Sequence, residues 1–381
     1  MRLSECHNFH DFRQLAKQRL PSPIFDCIDG AADDELTYRR NTASFERCDL
    51  VPDVLRGVAS VDLSVRVMGQ KLAVPFYCSP TALQRLFHHQ GERAVAAAAS
   101  KYGTMFGVSS LGTVGVEELR KAYATPQIYQ FYFHKDRGLN RAMLQRAKDA
   151  GVDIMMLTVD SITGGNRKRD LRTGFSIPFS LTLGGMLQFA LKPMWALNYV
   201  THERFTLPQL DEHVDMGGKT MSIGRYFTEM LEPSLNWDDV AEMVQQWDGQ
   251  YCLKGVMSAA DAKRAAEIGC TGIVVSNHGG RQLDGSRSAF DQLPEIVDAV
   301  GERLDVLMDG GIQRGTHVLK ALSLGAKAVG VGRFYLFPLA AAGQAGVDRA
   351  LGLMRSEIER GMKLMGRASI SQLSRDNLRF R

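Results

Sequence analysis

The chain has 381 residues, of which 45% are hydrophobic and 23% charged, a balance typical of a globular protein with a large core. Its formal net charge of +4 is small for this length, and no basic run carries interleaved aromatic residues, which argues against nucleic-acid binding. The six cysteines are scattered without a CxxC pair and no histidines cluster at zinc spacing, so we expect buried reduced thiols and no metal site.

The N-terminal third is predicted to be mostly helical. A helix over Phe9–Arg19 should end before Pro21, because proline cannot continue a helix. A second helical stretch is expected around Ile24–Asn41, and a small hairpin over Val65–Leu72. The first residues lack the apolar segment of a signal peptide, which predicts a cytoplasmic location.

After Pro75 short apolar runs alternate with stretches of helical composition. A strand followed by a helix, repeated eight times, predicts right-handed βαβ units that close into a (β/α)8 TIM barrel of the α/β class. The predicted strands are Phe76–Ser79, Met105–Ser109, Gln127–Phe131, Ile154–Val159, Tyr251–Lys254, Gly272–Ser276, Val306–Asp309 and Ala328–Val331. The predicted helices between them are Glu92–Lys101, Val116–Ala122, Arg137–Ala150, Trp237–Trp247, Ala259–Ile268, Gln292–Val300 and Thr316–Leu324.

One long insertion, residues 163–236, follows the fourth predicted strand and should cover the catalytic face, where the loops after strands lie. Within it Thr173–Leu191 carries no charge, but glycines, serines and a proline interrupt it too often for a transmembrane helix. A lid and a patch that lies on a membrane surface both remain open. We expect a single domain with N-terminal helices and hairpin (1–72), a barrel (73–162 and 237–340), this insertion, and C-terminal helices (341–381).

Polar residues and glycines follow the predicted strands, where side chains of such a barrel converge on one pocket. The sixth strand runs into SNHGGR at 276–281, and its glycines allow the backbone to approach a ligand closely. The seventh and eighth strands end in DGG at 309–311 and GVGR at 330–333, where barrels commonly bind phosphate. Each ending is also compatible with a plain glycine turn.

Charged side chains at these strand ends suggest a base beside a site for a carboxylate. Lys254 ends an apolar strand, and its burial would need an anionic partner or a ring that gains negative charge on reduction. A histidine titrates near neutral pH, so His278 is a candidate base that Asp160 would stabilise. Arg281 and Arg167 would hold a carboxylate. A solvated lysine at the rim and a solvated charge run around Arg167 are the alternatives.

These motifs closely resemble those of the FMN-dependent 2-hydroxy-acid oxidising enzymes, such as glycolate oxidase, flavin L-lactate dehydrogenase and mandelate dehydrogenase. The resemblance extends from residue 20 to residue 351. Its motifs are LPSPIFD (20–26), TVD (158–160), LKGV (253–256), SNHGGRQLDG (276–285), DGGI (309–312), GVGR (330–333) and AAAGQAGVDRAL (340–351).

The resemblance implies oxidation of an (S)-2-hydroxy acid to the 2-oxo acid, with two electrons passed to FMN. His278 would take a substrate proton with Asp160 paired to its ring, and Tyr132 would contact the substrate hydroxyl. Arg281 and Arg167 would bind the substrate carboxylate. The residues implied to hold FMN are Pro80, Thr81, Ala82, Ser109, Gln130, Thr158, Lys254, Ser276, Asp309, Gly310, Gly311, Gln313, Gly332 and Arg333.

Three positions depart from the family pattern. Cys27 occupies the position of a tyrosine that helps to bind the substrate carboxylate, and a thiol is a weak donor. Gln313 stands where an arginine is frequent and removes a positive charge from the phosphate site, although Arg314 is adjacent. Leu111 replaces an aromatic residue of glycolate oxidase. The substrate therefore stays open between an L-lactate-like acid, a larger hydroxy acid and a modified peptide end.

The insertion resembles that of the membrane-associated bacterial lactate and mandelate dehydrogenases. This favours membrane contact by Phe175–Tyr199, a peripheral position on the inner face of the cytoplasmic membrane, and reoxidation by quinone or another respiratory carrier. An oxidase that uses O2 and a catalytically idle flavin-binding barrel are the alternatives. By analogy with the family, a homotetramer is expected.

Overall fold

The computed structural model describes residues 1–173, 189, 191–203, 205–210 and 229–381. Eight parallel strands, β4 to β11 in chain order, close into a barrel, which confirms the predicted TIM-barrel fold. Each predicted apolar run overlaps one of them, because strands covered on both faces are almost continuously apolar. The barrel strands are Phe76–Cys78 (β4), Phe106–Ser109 (β5), Gln127–Tyr132 (β6), Ile154–Thr158 (β7), Gln250–Val256 (β8), Gly272–Val275 (β9), Asp305–Asp309 (β10) and Ala328–Val331 (β11).

The predicted hairpin is present and packs against the interior of the barrel. Its strands, Val65–Val67 (β2) and Gln70–Leu72 (β3), pair antiparallel. Met68 at its turn belongs to a cluster of buried side chains with Tyr77 and Ile128 from the barrel strands. Since Met68 also lies against the start of β9 at Gly272, the hairpin covers the end of the barrel opposite the strand C-termini.

Helices surround the barrel, and Phe9–Arg19, Val116–Ala122 and Trp237–Trp247 have the predicted bounds. The first begins at Asn8, whose side chain accepts the N–H groups of His10 and Asp11. The helices are Phe9–Arg19 (α1), Ser22–Asp29 (α2), Leu36–Glu46 (α3), Gln84–Phe87 (α4), Gly91–Lys101 (α5), Val116–Ala122 (α6), Arg137–Asp149 (α7), Lys168–Thr173 (α8), Pro193–Thr201 (α9), Trp237–Trp247 (α10), Ala259–Glu267 (α11), Ala289–Val300 (α12), Gly315–Ser323 (α13) and Arg333–Leu364 (α14).

The prediction of one helical stretch over Ile24–Asn41 is wrong, because two helices, α2 and α3, are separated by a break. Asp33 and Glu35 in the break have positive φ angles of 45° and 59°, which a helix cannot accommodate. Asp284, from the loop after β9, accepts the N–H groups of Leu36 (3.2 Å) and Thr37 (2.7 Å) and so caps α3 from outside. The break allows the N-terminal segment to contact the catalytic end of the barrel.

The C-terminal segment differs in part from the expected helices. The long helix α14 continues to Leu364 through a kink at Gly343, where φ is 58°. Beyond it, Leu378–Phe380 (β12) pairs antiparallel with Cys48–Leu50 (β1). The chain end is therefore attached to the N-terminal segment by a two-stranded sheet.

Only part of the insertion is described. It includes α8 and α9, whereas most of the uncharged segment Thr173–Leu191 and much of Phe175–Tyr199 lie outside the described residues. Among the described helices, none combines the length and the apolar character needed to cross a bilayer. Trp195 of α9 donates its indole N–H to the carbonyl of Leu86 (2.9 Å), which attaches this helix to the loop after β4.

Candidate active site

A cavity at the C-terminal ends of the barrel strands collects most of the predicted site residues. Four predicted residues lie just behind its lining. Asp160 is hydrogen-bonded to His278, Gln130 to Ser109 and Ser276 to Lys254, and Thr158 is hydrogen-bonded in turn to Gln130. The predicted residues that line the cavity are Cys27, Pro80, Thr81, Ala82, Ser109, Tyr132, Arg167, Lys254, His278, Arg281, Asp309, Gly310, Gly311, Gln313, Gly332 and Arg333.

His278 and Asp160 form a hydrogen-bonded pair at one side of the cavity, with 2.9 Å between Nδ1 and Oδ1. A carboxylate can only accept, so the proton belongs on Nδ1 and Nε2 is left as the basic nitrogen. Burial and the nearby Lys254 lower the pKa of His278 against the opposing effect of Asp160, which favours the neutral ring. Burial alone would raise the pKa of Asp160, but His278 and Lys254 outweigh it and lower that pKa.

The turn that carries His278 requires its two glycines. Residues 278, 279 and 280 have consecutive φ angles of 57°, 63° and 76°, a left-handed run that side chains disfavour. A Cβ on Gly280 would lie 2.6 Å from the backbone nitrogen of Tyr38, so the turn also packs directly on α3. His278 itself has a left-handed backbone, which is costly for a residue with a side chain and marks the turn as a functional feature.

Arg281 and Arg167 both line the cavity close to Cys27. Nη1 of Arg281 donates to the carbonyls of Cys27 (2.8 Å) and Gly30 (2.9 Å), which fixes one edge of the guanidinium. Burial and the repulsion of Arg281 lower the pKa of Arg167 to about 10, and its buried Nε has no hydrogen-bond partner among the described residues. Burial raises the pKa of the Cys27 thiol to about 11, so it is protonated at neutral pH. The two guanidinium groups form a cationic site that would receive an anion.

Lys254 is buried on β8, the strand next to β9, and has the anionic partner that its burial needs. Its Nζ lies 3.3 Å from Oδ2 of Asp309 and 3.1 Å from Oγ of Ser276. Burial would lower the pKa of Lys254, but the carboxylates of Asp309 and Asp160 outweigh it and raise that pKa. The ammonium therefore stays charged, and the interpretation of Lys254 as a solvated rim residue is wrong.

Three of the residues expected at the flavin ring form one hydrogen-bonded chain across β5, β6 and β7. Oγ of Ser109 donates to Oε1 of Gln130 (3.0 Å), and Nε2 of Gln130 donates to Oγ1 of Thr158 (2.9 Å). All three are buried. The chain fixes the amide orientation of Gln130 and reaches the cavity through Ser109.

The glycine-rich end of the cavity is built against the N-terminal segment. Gly310 and Gly311 have φ angles of 97° and 77°, and a Cβ on Gly311 would lie 2.2 Å from the carbonyl oxygen of Asn41. Arg333 lines this end, whereas Arg314 is exposed and pairs with Glu357 at 3.1 Å. Arg314 thus does not replace the positive charge that Gln313 lacks.

Three residues that the sequence did not single out support the His278–Asp160 pair. Oγ of Ser161 donates to Oδ1 of Asp160 (2.8 Å), and Nε2 of Gln282 donates to the Asp160 carbonyl (3.1 Å). Gly255 has a φ of 107°, and a Cβ there would lie 2.7 Å from the side chain of Asp160. The position of Gly255 directly after Lys254, at a strand end, was the available signal.

The family model for FMN-dependent dehydrogenases matches residues 16–380 of the chain. The L-lactate oxidase of Nostoc sp. is 40% identical over 375 residues, which are 97% of this chain and 97% of the oxidase. The L-lactate dehydrogenase of Caulobacter vibrioides is 39% identical over 365 residues, 96% of this chain and 95% of that enzyme. The crystal structure of the monotopic membrane protein (S)-mandelate dehydrogenase superposes with a TM-score of 0.92 at 32% identity and covers 99% of this chain and 100% of that chain.

Proposed function

Because the chain belongs to the FMN-dependent dehydrogenase family and so uses FMN to oxidise a 2-hydroxy acid, we propose that His278 is its base and that the substrate is an (S)-2-hydroxy acid. The observation that carries this proposal is the His278–Asp160 pair beside two arginines in one cavity. A neutral imidazole supplies a proton acceptor, and the guanidinium groups supply a carboxylate site.

The residues of the cavity fit FMN. The buried chain of Ser109, Gln130 and Thr158 offers neutral polar atoms to the edge of a ring, and Lys254 offers a positive charge. Gly332, whose Cβ position has no neighbour closer than 3.8 Å, leaves room for a phosphate close to the backbone, while Gly311 allows the backbone of Asn41 to pack against this end of the cavity. When bound, FMN accepts the two electrons that leave the substrate, a chemistry that amino-acid side chains lack.

The protein's own contribution is to orient the substrate and to hold one proton. Arg281, fixed on the carbonyls of Cys27 and Gly30, and Arg167 bind the carboxylate and direct the α-carbon towards the ring. Nε2 of His278 takes the proton from the substrate. Asp160 holds the Nδ1–H and stabilises the imidazolium that results. Lys254 remains charged beside Asp309 and would supply a positive charge that favours electron acceptance by a bound flavin.

The proposed substrates are 2-hydroxy acids with a side chain as small as that of L-lactate or larger. Cys27 and Leu111 both line the cavity with small or aliphatic side chains where the family pattern has aromatic ones. A smaller lining leaves more room beside the substrate carbon, which favours a bulkier 2-hydroxy acid as the second candidate. A peptide-derived acid would be the largest substrate of this kind.

The proposed electron acceptor is a quinone or another respiratory carrier reached at a membrane. Helix α9, together with Leu191 two residues before it, exposes an apolar surface: Leu191 is 69% exposed, Met194 69%, Leu197 55% and Val200 78%. Exposed apolar residues on one short helix are typical of a surface that lies in the membrane interface. The similarity to a monotopic membrane protein supports the same position.

An anaerobic panel of 2-hydroxy acids tests the reaction. We expect L-lactate or a larger (S)-2-hydroxy acid to bleach the visible absorbance of the bound flavin, and His278→Gln to keep the flavin but abolish bleaching. Flavin reduction by His278→Gln at the rate of the unmodified chain would refute the base assignment. Fast bleaching by lactate alone would exclude the bulkier substrate.

Sedimentation with anionic lipid vesicles tests the acceptor site. The Met194→Glu/Leu197→Glu/Val200→Glu variant should lose vesicle binding and quinone reduction but keep anaerobic bleaching by substrate. A matched control is Leu283→Glu, which changes an exposed leucine (74%) on another loop. Equal vesicle binding by both variants would contradict the proposed contact, and efficient turnover with O2 alone would favour an oxidase.

A further inference from the structure

The glycine-rich end of the cavity, where the FMN phosphate is proposed to bind (the phosphate end), holds little positive charge among the described residues. Arg333 is the cationic side chain that lines it, since Lys254 pairs with Asp309 at the ring end and Arg314 with Glu357 outside. The phosphate of FMN carries close to two negative charges at neutral pH. Neutral donors must therefore supply much of its binding.

Arg333 already donates three hydrogen bonds to the backbone. Its Nε donates to the carbonyl of Ile28, Nη1 to Gly279 and Nη2 to Gly30, at 2.8, 2.9 and 2.8 Å. Its guanidinium also lies 4.6 Å from the ring centre of Tyr38 on α3. A guanidinium has five N–H groups, so two remain for a phosphate.

A neutral donor pair stands at the same end. Thr42, on α3, and Gln313, after β10, both line the cavity, and Nε2 of Gln313 lies 3.3 Å from Oγ1 of Thr42. Within the described part of the chain, the sole acceptor for the proton of the Thr42 hydroxyl is the carbonyl of Gly311, at a long 3.4 Å. Since a hydroxyl rotates freely, this proton can turn to a better acceptor.

We propose that Thr42 binds the FMN phosphate through its hydroxyl, together with the side-chain amide of Gln313, so that the N-terminal segment supplies a cofactor-binding residue. Asn41, one residue earlier, fixes α3 at this place. Its side-chain amide exchanges two hydrogen bonds with that of Asn277, at 2.8 and 2.7 Å. Thr42 is thereby held beside Gly311 and Gln313. The inference rests on the FMN position proposed above.

Paired binding measurements with FMN and riboflavin, which lacks the phosphate, test the inference on the full chain. Thr42→Val keeps the shape of the side chain and should weaken FMN binding about tenfold, the effect expected for one hydrogen bond to a charged group, without changing riboflavin binding. Thr316→Val, an exposed threonine in the first turn of α13, is the control and should change neither. Gln313→Arg adds a charge and should tighten FMN binding selectively, with a stronger dependence on salt.

Three results are decisive. A loss confined to FMN in Thr42→Val supports the inference. An equal loss for both flavins would assign Thr42 a purely structural role, and no loss would remove it from the phosphate site, so either overturns it. If the unmodified chain fails to prefer FMN to riboflavin, the fault lies in the proposed cofactor position and not in Thr42.

Discussion

Replacing Arg167 with methionine is expected to stabilise the fold while it removes substrate binding. Burial and the repulsion of Arg281 lower the pKa of Arg167 well below the usual value of a guanidinium, to about 10. A pKa lowered by roughly 2.5 corresponds to about 3 kcal/mol against the charged form, and partial exposure to the solvent of the cavity reduces this, so we expect a gain of about 1–3 kcal/mol. Arg167 is charged in both the folded and the unfolded chain below pH 10, so this cost applies throughout the neutral range.

The matched control is Arg169→Met, two residues further along the same segment. Arg169 pairs with Asp29 at 2.7 Å and with Glu35, and these partners outweigh its burial and raise its pKa. Its removal would leave the buried Asp29 with Arg13 as its remaining ion-pair partner among the described residues. We therefore expect the opposite sign, a loss of stability of about 1–3 kcal/mol.

Urea unfolding with and without a 2-oxo acid measures both effects. The unmodified chain should gain stability from the 2-oxo acid, because the carboxylate neutralises Arg167, whereas Arg167→Met should start more stable and gain little. In anaerobic flavin reduction the half-saturating substrate concentration of Arg167→Met should rise about thirtyfold, for the loss of about 2 kcal/mol of charged hydrogen bonding. Destabilisation of Arg167→Met together with unchanged half-saturation would refute the assignment of Arg167 as an unpaired carboxylate anchor.

Three further predictions concern the pair, the thiol and the buried histidines. Asp160→Asn should slow anaerobic flavin reduction about 100-fold without loss of flavin, because a neutral amide cannot stabilise the imidazolium; an unchanged rate would contradict this role. Cys27→Ser should lower the half-saturating substrate concentration, because a hydroxyl is a stronger donor than a thiol; no change would mean that this side chain does not face the carboxylate. Burial lowers the pKa values of His88, His134 and His317 to about 4, so the folded chain keeps them neutral while the unfolded chain protonates them near 6.5. Stability should therefore fall as pH decreases from about 6.5 to about 4, by up to about 4 kcal/mol per pH unit, and a flat urea midpoint between pH 7 and 5 would refute this.

The barrel could be predicted because each of its strands and helices is specified by its own local sequence pattern. The run Ile154–Leu157 is apolar because neighbouring strands and helices cover both its faces, and the intervening helices carry their own hydrophobic period and capping residues. The positions of His278, Lys254 and Asp309 at strand ends follow from the same pattern. In a parallel barrel every strand ends on the same face, so residues that directly follow the strands in sequence lie close together in space.

The remaining features depend on contacts between distant parts of the chain. The break between α2 and α3 is stabilised by Asp284, about 250 positions later in the sequence. The acceptors of Arg333 are backbone carbonyls, which no side-chain pattern reveals. Arg314 is adjacent to Gln313 in sequence but pairs with Glu357. Gln313 faces the cavity, whereas Arg314 directly precedes helix α13 on the outside of the barrel.

The N-terminal segment connects the two ends of the site through a single carbonyl. Nη1 of Arg281, at the substrate end, and Nη2 of Arg333, at the phosphate end, both donate to the carbonyl oxygen of Gly30, at 2.9 and 2.8 Å. A carbonyl has two lone pairs, so Gly30 can satisfy both guanidinium groups and thereby fixes the distance between them. Asp29, one residue earlier, is buried in ion pairs with Arg13 and Arg169, which holds this carbonyl in place. The spacing between the two guanidinium groups, and with it the spacing between the proposed carboxylate and phosphate sites, is therefore set by a segment outside the barrel.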